Sequence, residues 1–191
     1  MLTTTGIPLG GFDGWVAEPK WTRGARVAVG DGTVKVRTQT GRVITAALPE
    51  QAPMWGYAGP LLLDGELVAG AGTLADFYNL SGRLAGRRRD GGGTVVFVAF
   101  DLLVDGEPII DQPYEARRRA LLELDLPGVV VTPSYGWEDA PALLGACEGT
   151  GMEGVMLKRL DSPYLPGKRT NAWRKVKCTA WAEHRRGRFQ A

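Results

Sequence analysis

Hydrophobic and polar positions in this chain alternate in short runs separated by turn residues, the two-residue period of half-buried strands. Residues 15–21 read as a strand. Residues 26–29 and 33–37 alternate apolar and polar side chains around Gly30-Asp31-Gly32, a hairpin signal. Leu61-Leu62-Leu63 and Glu66-Leu67-Val68 flank Asp64-Gly65. Residues 94–103 form a long apolar run between Gly91-Gly92-Gly93 and Asp105-Gly106, as a central strand would. Residues 129–132, 154–158 and 172–178 are further strands. A period nearer four marks three helices. Leu74, Phe77, Tyr78 and Leu84 share one face of residues 73–88. Leu121, Leu122 and the stem of Arg118 suit a helix over 114–124, after Pro113. Glu138 and Asp139 open a third helix, which carries Leu143, Leu144 and Cys147 and ends at Gly149 and Gly151. Strands and helices mix without regular βαβ alternation, which predicts an α+β fold with largely antiparallel sheets.

Composition narrows the class without naming a partner. A chain of 191 residues that is 44% hydrophobic and 23% charged can bury a core as one good-sized domain or two small ones. No apolar run reaches the ~18–20 residues of a membrane span. Met1-Leu2-Thr3-Thr4-Thr5 lacks the basic start and apolar core of a secretory signal. The two cysteines, Cys147 and Cys178, are too far apart for a Cys-x-x-Cys metal site and too few for a disulfide framework, so a reduced, cytoplasmic setting is expected. Net charge is only +2, but the basic residues are bunched at Arg87-Arg88-Arg89, at Arg117-Arg118-Arg119, over 168–177 and over 185–188. Bunched cations can make a phosphate-tracking face at near-zero net charge. The two Arg triplets are equally well read as solvated helix or loop faces.

Five pieces carry chemistry, and they occur in one order. Lys20, in Glu18-Pro19-Lys20-Trp21, could take a nucleotide, because a neutral lysine amine is a nucleophile toward phosphorus. Arg23 and Arg26 could help to hold it neutral. Glu66 and Glu153 are carboxylates suited to a hard cation. Phe100 offers a ring face to a base, whereas Phe97 is expected in the core. Lys175 and Lys177 alternate with Val176, so a strand would put both amines on one face, where they could neutralise a phosphate.

This ordered set resembles the motifs of ATP-dependent DNA ligases, bacterial repair type. Glu18-Pro19-Lys20-Trp21 with Gly24-Ala25-Arg26 resembles their Lys-x-Asp-Gly-x-Arg. Leu63-Asp64-Gly65-Glu66-Leu67-Val68 resembles the Asp-Gly-Glu motif, and Phe97-Val98-Ala99-Phe100-Asp101-Leu102-Leu103 the aromatic strand. Glu153-Gly154-Val155-Met156-Leu157-Lys158 resembles the Glu-Gly motif, and Trp173-Arg174-Lys175-Val176-Lys177 the closing Lys-x-Lys. Phe77-x-x-Leu80-x-x-Arg83, Asp111-Gln112-Pro113 with Arg117-Arg118, and Ser162-Pro163-Tyr164-Leu165-Pro166-Gly167 agree as well. The similarity spans residues 15–177. The last two of these segments favour ligases over messenger-RNA capping guanylyltransferases, which share part of the set.

The resemblance implies a DNA ligase/ATP-grasp-like nucleotidyltransferase core of two largely antiparallel β-sheets with flanking helices, and a lysyl-AMP intermediate. Lys20 would carry the AMP, with Lys175 and Lys177 on the α-phosphate. Glu18, Arg26, Glu66, Phe100 and Lys158 would bind the nucleotide: Glu18 beside the adenine, Arg26 and Glu66 at the ribose, Phe100 stacked on the base. Glu66 and Glu153 would hold Mg²⁺, with Mn²⁺ as an alternative. Gln39, Lys168, Arg169 and Arg174 would face nicked double-stranded DNA. The implied protein is a monomer, cytoplasmic and nucleoid-associated during repair, with no membrane partner and with room for a repair-complex partner that adds DNA grip. Residues 1–178 would form the adenylation domain and 179–191 a basic tail, without the OB-fold that ligases carry after this domain.

Three departures from the pattern keep other readings open. The Lys20 to Arg26 spacing is one residue too long, so Thr22 and Arg23 stand near the places of the Asp and Gly. Thr38-Gln39-Thr40-Gly41 puts Gln39 where the family has an arginine, and a neutral amide cannot make the bidentate, charge-assisted phosphate contact. The sequence ends at Ala191, just beyond the Lys-x-Lys strand. Adenylation of a non-DNA acceptor, or a nucleotide- or DNA-binding module without turnover, are the alternatives to sealing.

Overall fold

The computed structural model describes residues 1–7, 12–21, 24–30, 32–49, 59–70, 74–85 and 94–179. Two sheets and three helices account for most of them. The first sheet has the order β1 (Leu2–Thr5), β11 (Arg169–Lys177), β10 (Gly154–Arg159), β2 (Trp15–Lys20) and β9 (Tyr135–Gly136). The second runs β4 (Thr33–Thr38), β3 (Gly24–Gly30), β5 (Leu61–Ala69), β6 (Val95–Asp105) and β7 (Glu107–Pro108), with β8 (Val129–Val131) also on β6. All pairings are antiparallel except β1 on β11 and β8 on β6. The helices are α1 (Leu74–Leu84), α2 (Tyr114–Glu123) and α3 (Ala140–Gly149), the last entered through a 3-10 turn at Trp137–Asp139. Among the described residues no helix is long and apolar enough to cross a membrane.

Strand alternation sorts the side chains into layers. Ala25, Val27 and Val29 of β3, Val34 and Val36 of β4, and Leu61, Leu63, Leu67 and Ala69 of β5 all face one core with Leu80 and Leu84 of α1 and Leu121 of α2. In the first sheet Ala17, Val155 and Leu157 face Cys147 of α3 and Cys178. The opposite faces of the two sheets look toward each other. At one end they are sealed by Met1, Leu103, Tyr114, Tyr164 and Trp173. At the other end the facing positions are polar, and the space between the sheets stays open.

Several details depart from the sequence pattern. Asp64-Gly65 is no turn but the middle of one continuous nine-residue strand. A Cβ on Gly65 would meet Phe97 Cζ and the Val98 carbonyl oxygen at 2.5 Å, so only glycine lets β5 lie against β6 there. Leu122, expected to be buried, is 60% exposed, because α2 buries Tyr114, Arg117 and Leu121, a line one position away. β1 is threonine-rich and gave no alternation of its own, and it is held as an edge strand by β11. Helix α1 spans Leu74–Leu84 with Ala85 in a turn, and the rest of the helix expected to residue 88 falls in residues 86–93, which lie outside the described set. Thr22, Arg23 and the tail from residue 180 also lie outside it, so the lengthened Lys20–Arg26 spacing and the basic tail are not described.

Gly154 has the most constrained backbone at the site. Its φ is +145°, and a Cβ there would meet the Val176 carbonyl oxygen at 2.1 Å. The Glu-Gly pair thus needs its glycine so that β10 can approach the Lys-x-Lys strand. Gly154→Ala should destabilise the fold by about 1–3 kcal/mol through backbone strain and overpacking. Chemical denaturation checks this, with Gly145→Ala on α3, where no atom lies within 4 Å of the added Cβ, as the neutral comparison.

Candidate active site

The open end between the sheets is a cavity of about 400 Å³. β2 supplies Glu18 and Lys20, β10 Met156 and Lys158, and β11 Arg169, Trp173, Lys175 and Lys177. The facing sheet supplies Arg26 from β3, Asp64 and Glu66 from β5, and Phe100 from β6. Except for Trp173, which belongs to the sealing cluster, these are positions that the cores leave free. Glu153, Trp21 and Gln39 also line the cavity.

Lys20, Glu153 and Lys177 form one ion triad. Lys20 Nζ lies 2.9 Å from Glu153 Oε2, and Lys177 Nζ lies 2.8 Å from Oε1. The register explains it: Gly154 pairs with Lys20 on one side and Lys177 on the other, so Glu153 enters β10 between two lysines. Burial works against the Glu153 charge, yet the two lysines hold its carboxyl below the usual range. Lys20 Nζ also donates to the Trp21 carbonyl at 3.1 Å. Burial, with Lys177 and Lys20 close by, pushes the Lys175 ammonium down from its ordinary value. Such a crowd of cations favours an anion in its midst.

Deeper in the cavity a second ionic group lies against aromatic rings. Lys158 Nζ is 2.7 Å from Glu18 Oε2, and both residues are 1% exposed. The same ammonium sits 4.4 Å from the Phe100 ring centroid, 4.6 Å from that of Tyr114 and 4.3 Å from that of Trp173. Glu18 Oε1 accepts from the Tyr114 hydroxyl and lies 3.3 Å from Arg118 Nη1. Desolvation pushes Lys158 down from its ordinary value, and Glu18 opposes that shift. Phe100 is half-buried at the cavity edge, whereas Phe97 is in the core. The pairing of β5 with β6 explains the difference: Asp64 faces Asp101 and Gly65 faces Ala99, so Phe100 is the extra residue of a β-bulge. The bulge also lets Leu102 return to the core beside Ala99.

Arg117 and Arg118 turn out to be internal, not a solvated face. Arg117 grips Asp101 with Nε and Nη2, each at 2.8 Å, and both side chains are fully buried. Its Nη1 donates to the Gln112 and Ser162 carbonyls, which is why Asp111-Gln112-Pro113 and Ser162-Pro163-Tyr164 belong with it. Arg118 Nη2 donates to the Thr132 carbonyl at 2.8 Å, and Thr132 Oγ1 accepts from Trp21 Nε1 at 3.0 Å. Thr132 and Trp21 were not singled out as site residues in the sequence, because only the fold brings β8 to the residue after Lys20.

Two of the residues expected to face DNA, Gln39 and Arg169, line the same cavity. Gln39 is exposed at the cavity rim. Lys168 is exposed. Arg169 donates to the Thr3 carbonyl, and Arg174 Nε donates to the Gly6 carbonyl at 2.9 Å, so both arginines also brace β1. For a divalent cation, Glu66 and Glu153 reach the cavity from opposite sheets. Among the described residues no group of three or more His, Cys, Asp or Glu gathers to cage a metal.

The comparisons with known proteins agree with this geometry. The model of the ATP dependent DNA ligase domain matches residues 11–177. The chain is 31% identical over 169 residues to the multifunctional non-homologous end joining protein LigD of Mycolicibacterium smegmatis, covering 85% of this chain and 21% of that protein. It is 34% identical over 188 residues to a probable DNA ligase of Kineococcus radiotolerans, covering 92% of this chain and 36% of that protein. Among solved structures, the ligase domain of M. tuberculosis LigD superposes with a TM-score of 0.71 at 30% identity, over 92% of this chain and 58% of that one. A mycobacterial DNA ligase D complexed with ATP and MES superposes with a TM-score of 0.69 at 29% identity, over 92% of this chain and 59% of that one. The chain therefore spans a minor part of these curated relatives, and over that part it belongs to the ATP-dependent DNA ligase domain family.

Proposed function

We propose that the chain is the adenylyltransferase unit of an ATP-dependent DNA ligase, forming a lysyl-AMP on Lys20 and passing the AMP to the 5′-phosphate of nicked DNA. The observation that carries this reading is the Lys20–Glu153–Lys177 triad at the mouth of a nucleotide-sized cavity. ATP lies with its base against Phe100, above Glu18 and Lys158, and its ribose toward Arg26 and Glu66. Lys175 and Lys177 meet the α-phosphate. The Lys20 ammonium first gives up a proton to solvent; the neutral Nζ then attacks the α-phosphorus, and the proton shed as the nitrogen bonds to phosphorus leaves along the hydrogen bond to Glu153. A nitrogen–phosphorus bond forms, the α-phosphorus to bridging-oxygen bond breaks, and pyrophosphate departs. Two carboxylates suffice for Mg²⁺, because this ion keeps waters and takes phosphate oxygens besides one or two protein carboxylates. Glu66 and Glu153 would hold it, and it would supply charge neutralisation at the phosphates.

Intact mass spectrometry after incubation with ATP and Mg²⁺ tests the reading. A covalent AMP adduct supports either an enzyme on DNA or one on another acceptor, and its absence favours a binding module. Sealing of nicked duplex then separates the two enzymes.

A second prediction concerns DNA. Contacts from Lys168, Arg169 and Arg174 are to phosphate, so binding of nicked duplex by this 191-residue chain should weaken steeply with salt and show no sequence preference. A nick with a ready-made 5′-adenylate should be sealed faster than a plain 5′-phosphate nick. Titrations at low and moderate salt, with both substrates, check this. Salt-insensitive binding or equal sealing rates would contradict it.

A further inference from the structure

The Ser162-Pro163-Tyr164 segment takes no part in the chemistry above, yet it delivers a hydroxyl to the back of the nucleotide cavity. Arg117 holds the Ser162 carbonyl at 3.1 Å, Ser162 Oγ donates to the Arg159 carbonyl at 2.7 Å, and the Tyr164 amide donates to the Ile110 carbonyl at 2.8 Å. The turn is thus anchored at both ends. Tyr164 is 1% exposed between the sheets, with its ring edge-on to Trp173 at 5.9 Å.

All the hydrogen-bonding capacity of the Tyr164 hydroxyl is used. It donates to Asp64 Oδ2, accepts from the Met1 amine at 2.6 Å, and accepts from Arg26 Nη2 at 3.5 Å. Asp64 Oδ1 faces Arg26 Nε at 3.7 Å. The carboxylate and the phenol together present two acceptors to one edge of the guanidinium. Arg26 and Asp64 line the cavity, and Tyr164 stands behind them. Arg26 keeps a third of its side-chain surface exposed and faces the cavity. Arginine presents a rigid fork, and fixing Nε and Nη2 fixes the direction of the third nitrogen.

We infer that Tyr164 and Asp64 are positioning residues that aim Arg26 at the ribose hydroxyls of the nucleotide, so that the Ser-Pro-Tyr turn sets selectivity for ribonucleotide over deoxyribonucleotide. This rests on the proposed nucleotide site. Burial pushes the Asp64 carboxyl up from its ordinary value, with Tyr164 and Arg26 opposing the shift, so loss of the phenol would weaken the Asp64 charge that holds Arg26.

The test is calorimetric binding of ATP and of 2′-deoxy-ATP to the unaltered chain, Tyr164→Phe, Arg26→Ala and the double variant. Phenylalanine keeps the ring contact with Trp173, and Asp64→Asn serves as a second, independent lesion in the same link. Binding stoichiometry counts only folded sites, so a partly unfolded variant still yields its affinity. Tyr164→Phe should weaken ATP roughly tenfold, as expected for a hydrogen bond to a charged group. It should weaken 2′-deoxy-ATP much less, and it should add nothing once Arg26 is alanine. Asp64→Asn should shift the same ratio. Equal losses on both nucleotides, or additive losses in the double variant, would overturn the inference, because a merely structural lesion behaves in that way. ATP binding indifferent to Tyr164→Phe removes this inference alone. A failure of the unaltered chain to bind ATP removes the nucleotide site and the inference with it.

Discussion

Lys20→Ala should leave a folded protein that forms no covalent adenylate. Lys20 is at the end of β2 and makes one ion pair, to Glu153, which keeps Lys177 at 2.8 Å when Lys20 is gone. The fold therefore loses little. The chemistry loses its nucleophile, and among the described lysines only Lys177 also pairs with Glu153. Lys177 is the nearest substitute, but it sits across the carboxylate, on β11. Lys158→Ala is the informative contrast. Its ammonium is enclosed by three rings and Glu18, so its removal should destabilise the pocket while adenylate still forms, more slowly, at temperatures where the variant is folded. Labelling with ATP, alongside melting curves for both variants, separates loss of chemistry from loss of fold. A labelled Lys20→Ala protein with an unlabelled Lys158→Ala protein would show that the nucleophile lies deeper in the cavity.

Arg117→Ala should be the most damaging single change to stability, at about 3–5 kcal/mol. It strands the Asp101 carboxylate with no solvent exposure and takes a donor from the Gln112 and Ser162 carbonyls. A loss of that size is a large fraction of the ~5–15 kcal/mol that holds an ordinary domain together. For a chain of this length it corresponds to a fall in melting temperature of roughly 10 °C. Replacing both partners by apolar residues of similar volume, as in Asp101→Leu with Arg117→Met, should recover most of the loss, because the expense lies in an unpaired buried charge rather than in the absent pair. Equal stability of the single and double variants would contradict this reading of the clamp.

The sequence and the structure agree where alternation alone decides the face of a strand. Lys175 and Lys177 flank Val176, and the strand puts the two lysines on the cavity wall and the valine against α3. Gly65 and Gly154 were legible as motif glycines, but their reason was not: each allows a neighbouring strand to approach, and that neighbour is distant in sequence. Arg117 shows the limit most clearly. An arginine triplet on a helix has the look of a solvated face, and nothing local says that the carboxylate it meets is Asp101, on another element. The exposure of Leu122 has a related origin, since the buried line of α2 runs through Tyr114, Arg117 and Leu121 and so leaves Leu122 off it. The Lys20–Glu153–Lys177 triad needs two strand pairings to form, and only the ordered motifs hinted at it.

The most direct measurement is the location of the covalent AMP. The chain is incubated with ATP and Mg²⁺, digested, and its modified peptide sequenced by tandem mass spectrometry. The account predicts one adduct, on Lys20. An adduct on Lys158, Lys175 or Lys177, or no adduct on a chain that binds ATP, would contradict it.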